Sequence, residues 1–255
     1  MLLKKYKGKD FDSPEMSRTA KNNLQNKRCL HDNYVDTYRE MIKLANKFLI
    51  KDSRVKLELG SGGGFFKEIC KDVITSDVTD VNGVDMVIDA QNLPFEDESI
   101  DIIYAVHVLH HIPDVNKFFS EVVRVCKVSG GCVLVEPYWS IVGKFFYKHL
   151  HPEDYNEKTK EWSFESTGAM SGANQALSYL ILKRDRKIFN DKYPELNVEY
   201  DRPFNGLRYI ATGGIWLKPY LPEFMFPILT WIEKKFWPLM YIFGIHHIFV
   251  IKKVK

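Results

Sequence analysis

Short apolar runs alternate with amphipathic stretches over residues 34–137, and that alternation sets the order of elements. Residues 34–50 carry Tyr38, Met41, Ile42, Leu44, Ala45, Phe48 and Leu49 at helical spacing, and Lys51, Asp52 and Ser53 close the helix. Val55, Leu57 and Leu59 predict a short buried strand running into Gly60, Gly62, Gly63 and Gly64. A helix is expected over 66–73, a second strand over 73–76 ending at Asp77, and a third over 86–88 ending at Asp89 and Ala90. The polar link from Asp77 to Asp89 is too short for a full helix. A fourth, β-branched strand spans 102–106. Leu109, His110, His111 and Ile112 form a loop beyond it, and Pro113 and Asp114 open a helix that buries Phe118, Phe119, Val122, Val123 and Val125. Ser129, Gly130 and Gly131 turn the chain into a fifth strand, 132–135, ending at Glu136 and Pro137.

The second half is less regular. Residues 138–150 read as a helix with aromatic residues on one side, and 151–168 as a long polar segment with Trp162 and Phe164 embedded. Loops of that length in a compact domain are commonly functional lids. A helix capped by Ser171 turns Leu177, Leu180 and Ile181 inward, and 247–252 is the last strand. Residues 221–251 are dense in Phe, Trp, Met and Ile, but Pro227, Pro238 and the run Glu233, Lys234, Lys235 break them, so a spanning helix is not supported. Two readings stand for this stretch. It packs on the sheet as core, or its aromatic side meets a bilayer or a lipid-linked molecule.

Strands alternating with helices at this spacing predict an α/β fold: a Rossmann-like, doubly wound, mostly parallel seven-stranded sheet with helical insertions. One domain over 1–255 is expected, with an N-terminal arm (1–30), a nucleotide-binding core (31–137), an inserted cap (138–245) and the last strand (246–255). A chain of 255 residues, 45% hydrophobic, can bury a core of that size. The net charge of +3 argues against a dedicated nucleic-acid binder. Cys29, Cys70, Cys126 and Cys132 match no metal or redox spacing and read as apolar fillers in a reducing compartment. The first residues lack an apolar stretch of signal-peptide length. A cytoplasmic protein is expected, with contact at the inner face of the membrane as the second reading.

The glycine turn carries the first chemical information. A strand, a glycine turn and a helix let a nucleotide touch bare backbone. The third glycine of a dinucleotide fingerprint would fall at Phe65, and no Lys-Ser/Thr pair follows for a phosphate loop. Glu58, two residues before Gly60, repels a diphosphate and suits a nucleoside bearing an ammonium and a sulfonium. S-adenosylmethionine is the common one. Asp77 lies 17 residues beyond Gly60, roughly where such folds place an acid on the ribose. Asp77, Asp89, His107, His110, His111 and Glu136 all follow strand ends, where ligands of parallel sheets bind.

The segments LELGSGGG, SDV, DAQNLPFEDESIDIIYAVHVLHHIPD and GGCVLVEP together resemble the class I S-adenosylmethionine-dependent methyltransferases. The closest subtype is the one typified by ubiquinone and menaquinone methylation, and the resemblance covers residues 55–137. It implies that Glu58, Gly60, Ser61 and Gly62 meet the methionine end and Asp77 the ribose. Asp89 with Ala90 would read the adenine, and Ala105 to His107 would flank the methyl group. The short link from Asp77 to Asp89 departs from the family, which has a helix there.

The resemblance implies methyl transfer to an acceptor held under the cap. O-methylation of a small molecule or a glycan or cell-surface precursor leads. C- or N-methylation of a lipid or quinone-like acceptor is the alternative, and a catalytically silent scaffold subunit is the non-enzyme one. A hydroxyl acceptor gains from a general base, and His110, His111 and Glu136 are the candidates because they follow strand ends beside the expected methyl. For each histidine a structural role, with the ring bonded to a backbone carbonyl, stands beside the catalytic one. Trp162, Asn174 and Gln175 are candidates for the acceptor pocket. Adjacent His110 and His111 suggest a metal, but no third ligand stands at a sensible spacing, so none is expected.

Overall fold

The computed structural model describes residues 14–166, 168 and 172–255. The helix cap expected at Ser171 and the first part of the N-terminal arm lie outside them. Seven strands form one sheet: β1 (Lys56–Leu59), β2 (Val73–Asp77), β3 (Met86–Val87), β4 (Ile100–Val106), β5 (Cys126–Pro137), β6 (Leu196–Phe204) and β7 (His246–Lys253). Their order is β3-β2-β1-β4-β5-β7-β6, parallel from β3 to β5, with β7 antiparallel to both of its neighbours.

The central strands read as unbroken apolar runs because both faces of the sheet are covered. Side chains alternate across the sheet, so Leu57, Leu59, Ile103, Ala105, Cys132, Leu134, Phe249 and Ile251 join one core. That core is closed by α4 (Val115–Val125) through Phe118, Phe119, Val122 and Val125. Ile102, Tyr104, Val133, Val135, Ile248 and Val250 join the opposite core, closed by α2 (Arg28–Phe48) through Leu30, Tyr34, Tyr38, Met41, Leu44 and Ala45. Asp114 caps α4 by accepting the Asn116 N–H at 3.0 Å. All four cysteines are buried free thiols.

The structure departs from the sequence reading at several points. Residues 14–26 are a helix, α1 (Pro14–Asn26), where a loose arm was expected; its Ala20 and Leu24 close over the site and Lys21 Nζ bonds the Asn82 carbonyl at 2.8 Å. The helix after the glycine turn, α3 (Phe66–Ile69), is a single turn. The fifth strand begins at Cys126: Ser129, Gly130 and Gly131 form a bulge within it, opposite the shift in register between Ile100 and Ile102. Gly131 has φ +152, and a Cβ there would lie 2.0 Å from the Ile251 carbonyl oxygen, so β7 can pair closely only against glycine.

The inserted region is also not all cap. Leu177, Leu180, Ile181 and Phe189, carried by α6 (Leu177–Tyr179), the π turn after it and α7 (Arg186–Lys192), belong to the first core with Leu196, the first residue of β6, which is the sheet's edge. Strand β6 has no apolar run to announce it, since only its first residue and Pro203 are buried. The elements over the crevice are α5 (Ile141–His149), the segment after it, and α8 (Leu207–Thr212) with its following loop. Residues 221–243 pack as core only in part, through Phe226, which joins a small cluster with Cys29 and Ala211, and through Met240. They form α9 (Phe226–Lys235), α10 (Met240–Phe243) and short 3-10 turns, and Phe224 and Trp231 are 74% and 58% exposed.

One buried carboxylate ties the base of the sheet. Asp101 accepts the N–H groups of Arg54 and Val55 at 2.7 and 2.8 Å and the Lys127 ammonium at 2.8 Å. Burial opposes its charge, but Lys127 and the two backbone donors win and hold the carboxyl below its ordinary value. Its contribution is therefore present above the ordinary carboxylate range and fades as pH falls through the lowered value. Asp101→Ala leaves three donors without their acceptor and should cost on the order of 3 kcal/mol in urea unfolding at neutral pH, with the deficit shrinking in acid.

Candidate active site

The glycine turn is stitched to the strands on both sides. Ser61 N–H donates to the Ser76 carbonyl at 2.8 Å, Ser61 Oγ donates to Glu58 Oε2 at 2.5 Å, and Ser76 Oγ donates to the Glu58 carbonyl at 2.7 Å. Gly62 N–H donates to Asp77 Oδ2 at 2.9 Å, so the carboxylate that ends β2 holds the turn in place. Gly60 has φ +67, and a Cβ there would meet Val108 Cγ2 at 2.3 Å. Gly62 has φ +52, and the space where its Cβ would stand is open. Bare backbone therefore faces the crevice at Gly62 while the loop after β4 presses on Gly60. Phe65 stacks on His31 with centroids 4.2 Å apart, filling the place where a dinucleotide fingerprint has its third glycine.

Beyond the carboxyl ends of the strands lies a cavity of about 1000 Å³. Its glycine end is lined by Gly60, Ser61, Gly62, Asp77, Asp89 and Ala90. Asp77 Oδ1 accepts from the Thr79 N–H and hydroxyl, and Asp89 Oδ1 from the Gln91 N–H at 2.8 Å. Apolar and aromatic residues, Phe145, Phe146, Leu150, Tyr209 and Trp216 among them, make up much of the remaining wall. Such a volume stands at the top of the roughly 300–1,000 Å³ range of ligand sites, large enough for two ligands end to end.

Glu58 is 2% exposed and does not line the cavity; Ser61 and Tyr38 stand between it and the crevice. It would act on a ligand in the crevice through its field and the Ser61 hydroxyl. Burial raises its pKa to about 7 against the Ser61 and Tyr38 hydrogen bonds, with the Asp77 charge adding to the rise.

Several site residues expected from sequence sit elsewhere. Ala105 lies in the core of the sheet, and the segment facing the crevice is Val106 to Val108. Trp162 is core as well, its Nε1 donating to Asp185 Oδ2 at 2.9 Å. Asn174 pins the loop before it, accepting from the Asn156 and Ala176 N–H groups, and does not reach the cavity. Gln175 does line it, where it donates to Glu153. Glu136 is fully buried. Its Oε1 accepts the Val108 and Leu109 N–H groups at 2.9 and 2.8 Å and its Oε2 meets His110 Nδ1 at 2.5 Å, which makes it a positioning group rather than a base.

The histidines are brought together. His107, His110, His111 and His246 stand in a row on the crevice wall, with successive ring centroids 4.3 Å (His246 to His107), 6.2 Å and 4.3 Å apart. His107 has φ +60, the left-handed conformation that swings the chain out of β4. Burial lowers the His107 pKa to about 3 and pushes those of His110 and His246 well down, so all three rings are neutral near pH 7. Glu153, from the segment after α5, completes the group: its Oε2 lies 3.8 Å from His110 Nε2 and 3.7 Å from His111 Nε2. This corrects the expectation that His110 and His111 lack a third partner. Nothing in the spacing of Glu153 marks it, whereas His246 carries a weak signal as the first of a histidine pair opening the last strand.

The sheet order and the glycine end define a nucleoside-binding, doubly wound domain. Residues 57–134 match the family described as Methyltransferase domain. Over 106 residues, 41% of its length and 42% of the relative's, the chain is 39% identical to YcgJ, an uncharacterized methyltransferase of Bacillus subtilis. It is 34% identical over 73 residues to the sterol 4-C-methyltransferase strm-1 of Caenorhabditis elegans, 29% of this chain and 18% of that one. It is 50% identical over 42 residues, 16% of each chain, to phthiotriol/phenolphthiotriol dimycocerosates methyltransferase 1 of Mycobacterium ulcerans. The chain thus spans less than half the length of these curated relatives. Geranyl diphosphate C-methyltransferase of Streptomyces coelicolor A3(2) shares the fold, with a TM-score of 0.50 at 11% identity over 99% of this chain and 88% of that one.

Residues 57–134 thus carry a methyltransferase domain, and its cofactor is S-adenosylmethionine. The residues present fit that cofactor: an open backbone approach at Gly62, carboxylates at the ends of β2 and β3, and apolar Val78 and Ile88 beside them. A cation bound near Glu58 favours its ionised form, so affinity for S-adenosylmethionine should rise with pH through about 7. The gain is about tenfold for each unit by which binding lowers that value. Glu58→Gln keeps an acceptor for Ser61 and should flatten the profile in calorimetry between pH 6 and 8 (about two units wide). The sign is opposite for the ligand-free protein, where a raised carboxyl favours the fold below about 4.5 and loses that favour as pH climbs through about 7.

Proposed function

We propose that this protein transfers a methyl group from S-adenosylmethionine to an oxygen of an apolar, lipid-like small molecule. The observation that carries the reading is the lining of the cavity, which combines the glycine turn and its carboxylates, suited to the donor, with apolar and aromatic side chains suited to an acceptor and a row of histidines. Two of the relatives named above act, by name, on a sterol and on phthiotriol and phenolphthiotriol dimycocerosates, which favours the lipid class over glycan precursors. The O-methylation expected from sequence is thus kept, with the acceptor class of its alternative.

When bound, S-adenosylmethionine supplies an activated methyl on a sulfonium. The chain's part is alignment and proton removal. Val106 to Val108 and the turn at Gly60 fix the donor end, while Phe146, Tyr147 and Tyr209 wall the acceptor end and exclude water. Holding both partners near attack geometry is worth up to about 7–11 kcal/mol. A hydroxyl losing its proton as the methyl arrives needs a base. His246 answers that need: its ring is buried against His107 and Tyr209, it lines the cavity, and its Nδ1 has no hydrogen-bond partner among the described residues. His110 is bound to Glu136 and His111 to the Gly172 carbonyl, so these two serve to bind the acceptor's polar end.

The outer surface supports a lipid source. No helix among the described residues is long and apolar enough to cross a membrane. Exposed Phe224, Ile228, Trp231 and Trp237 nonetheless share a surface segment with Lys234 and Lys235, and the Lys235 ammonium lies 4.7 Å from the Trp231 ring centroid. On α5, Ile141 is 75% exposed, and Phe145 is both exposed and part of the cavity wall. An apolar, lysine-flanked face of this kind suits the headgroup boundary of an anionic bilayer, from which an acceptor could enter.

Labelled donor offered with quinone-like phenols, sterols and water-soluble sugars should mark the apolar hydroxyl compounds; label on the sugars alone would overturn the acceptor class. His246→Gln should lower kcat by about 10²–10⁴ while leaving donor binding by calorimetry unchanged. The protein should float with anionic liposomes, and a Phe224→Ser, Trp231→Ser double variant should stay behind.

A further inference from the structure

We propose that His110, His111 and Glu153 form a site for a divalent first-row transition-metal ion at the acceptor end of the crevice. One donor atom from each lies within 4.8 Å of the other two. The hydrogen bonds behind the rings show which atoms these are. Glu136 spends Oε1 on two backbone N–H groups and meets His110 Nδ1 with Oε2, so Nδ1 is the donor there and Nε2 of the neutral ring carries a lone pair. His111 Nδ1 faces the Gly172 carbonyl, which can only accept, so His111 Nε2 is bare as well.

Both lone pairs face Glu153 Oε2, at 3.8 and 3.7 Å. Two imidazole nitrogens and a carboxylate oxygen that also accepts the Gln175 amide N–H thus converge on one point. A carboxylate behind one ligating imidazole and a carbonyl behind the other are the outer partners that metal-bound histidines have.

Size and ligand type narrow the ion. Ligands about 2.0–2.1 Å from a tetrahedral centre stand about 3.4 Å apart, so each histidine-to-Glu153 distance has to close by only a few tenths of an ångström. Two imidazoles and one carboxylate suit Zn²⁺, Mn²⁺ or Fe²⁺ better than Mg²⁺ or Ca²⁺, which prefer oxygen alone. All three side chains line the cavity, so the remaining coordination positions open toward an acceptor hydroxyl or water. The site stands on these side chains and does not depend on which acceptor is methylated.

Chelator-stripped protein titrated with Co²⁺ should take up one equivalent with a visible ligand-field spectrum, and Zn²⁺ should displace it. His111→Ala and Glu153→Gln should each weaken uptake about tenfold or more. Calorimetry with S-adenosylmethionine serves as the check that each variant is folded. Absence of saturable uptake, or uptake unchanged in both variants, overturns the site. Donor binding that persists in that case leaves the methyltransferase reading standing.

Discussion

Everything at the glycine turn depends on a carboxylate that does not itself line the crevice. Glu58 sits on the α2 face of β1, under Tyr38, and spends one oxygen on Ser61 while its carbonyl takes the Ser76 hydroxyl. That pair of bonds, with Gly62 N–H on Asp77, converts a flexible glycine run into a fixed cradle between two strands. Two glycines then do different jobs. Gly60 is required by what presses on it, and Gly62 by what has to approach it. A buried acid near its neutral point is costly to ionise, and a cationic nucleoside is the kind of ligand that relieves the cost.

The parallel half of the sheet was legible because its strands are buried on two faces and bounded by glycine or by acids at their carboxyl ends. Val73 to Asp77 shows both signals, and Ile100 to Val106 shows the burial alone. The antiparallel edge was half hidden. Strand β7 has an apolar centre, Ile248 to Ile251, but β6 alternates exposed and half-buried residues and contains Pro203, so no period marks it as a strand. Trp162 misled for a related reason: an aromatic residue inside a polar segment can be an anchor to the core, and its bond to Asp185 makes it one.

The catalytic side divides the same way. Residues that follow strand ends in sequence could be named, and Asp77, Asp89, His107, His110 and His111 all face the crevice. Of those contributed elsewhere, Gln175 was named and lines the crevice, but Glu153 and His246 were missed. Glu153 arrives from an irregular segment, and His246 arrives because β7 pairs with β5 in a register that sets His246 opposite Pro137. Glu136 was found by its position, but position alone does not reveal that its oxygens are taken by Val108, Leu109 and His110.

That register has a consequence for assembly. The strand lying between β5 and β6 is the last of the seven along the chain, so the middle of the antiparallel half stays vacant until everything before it has been ordered. Long-range pairings of this kind form late and slowly. His246 rides in on that strand, and the catalytic wall is therefore closed by the final insertion. A nascent or partly unfolded chain could hold its nucleoside cradle intact and still be chemically inert.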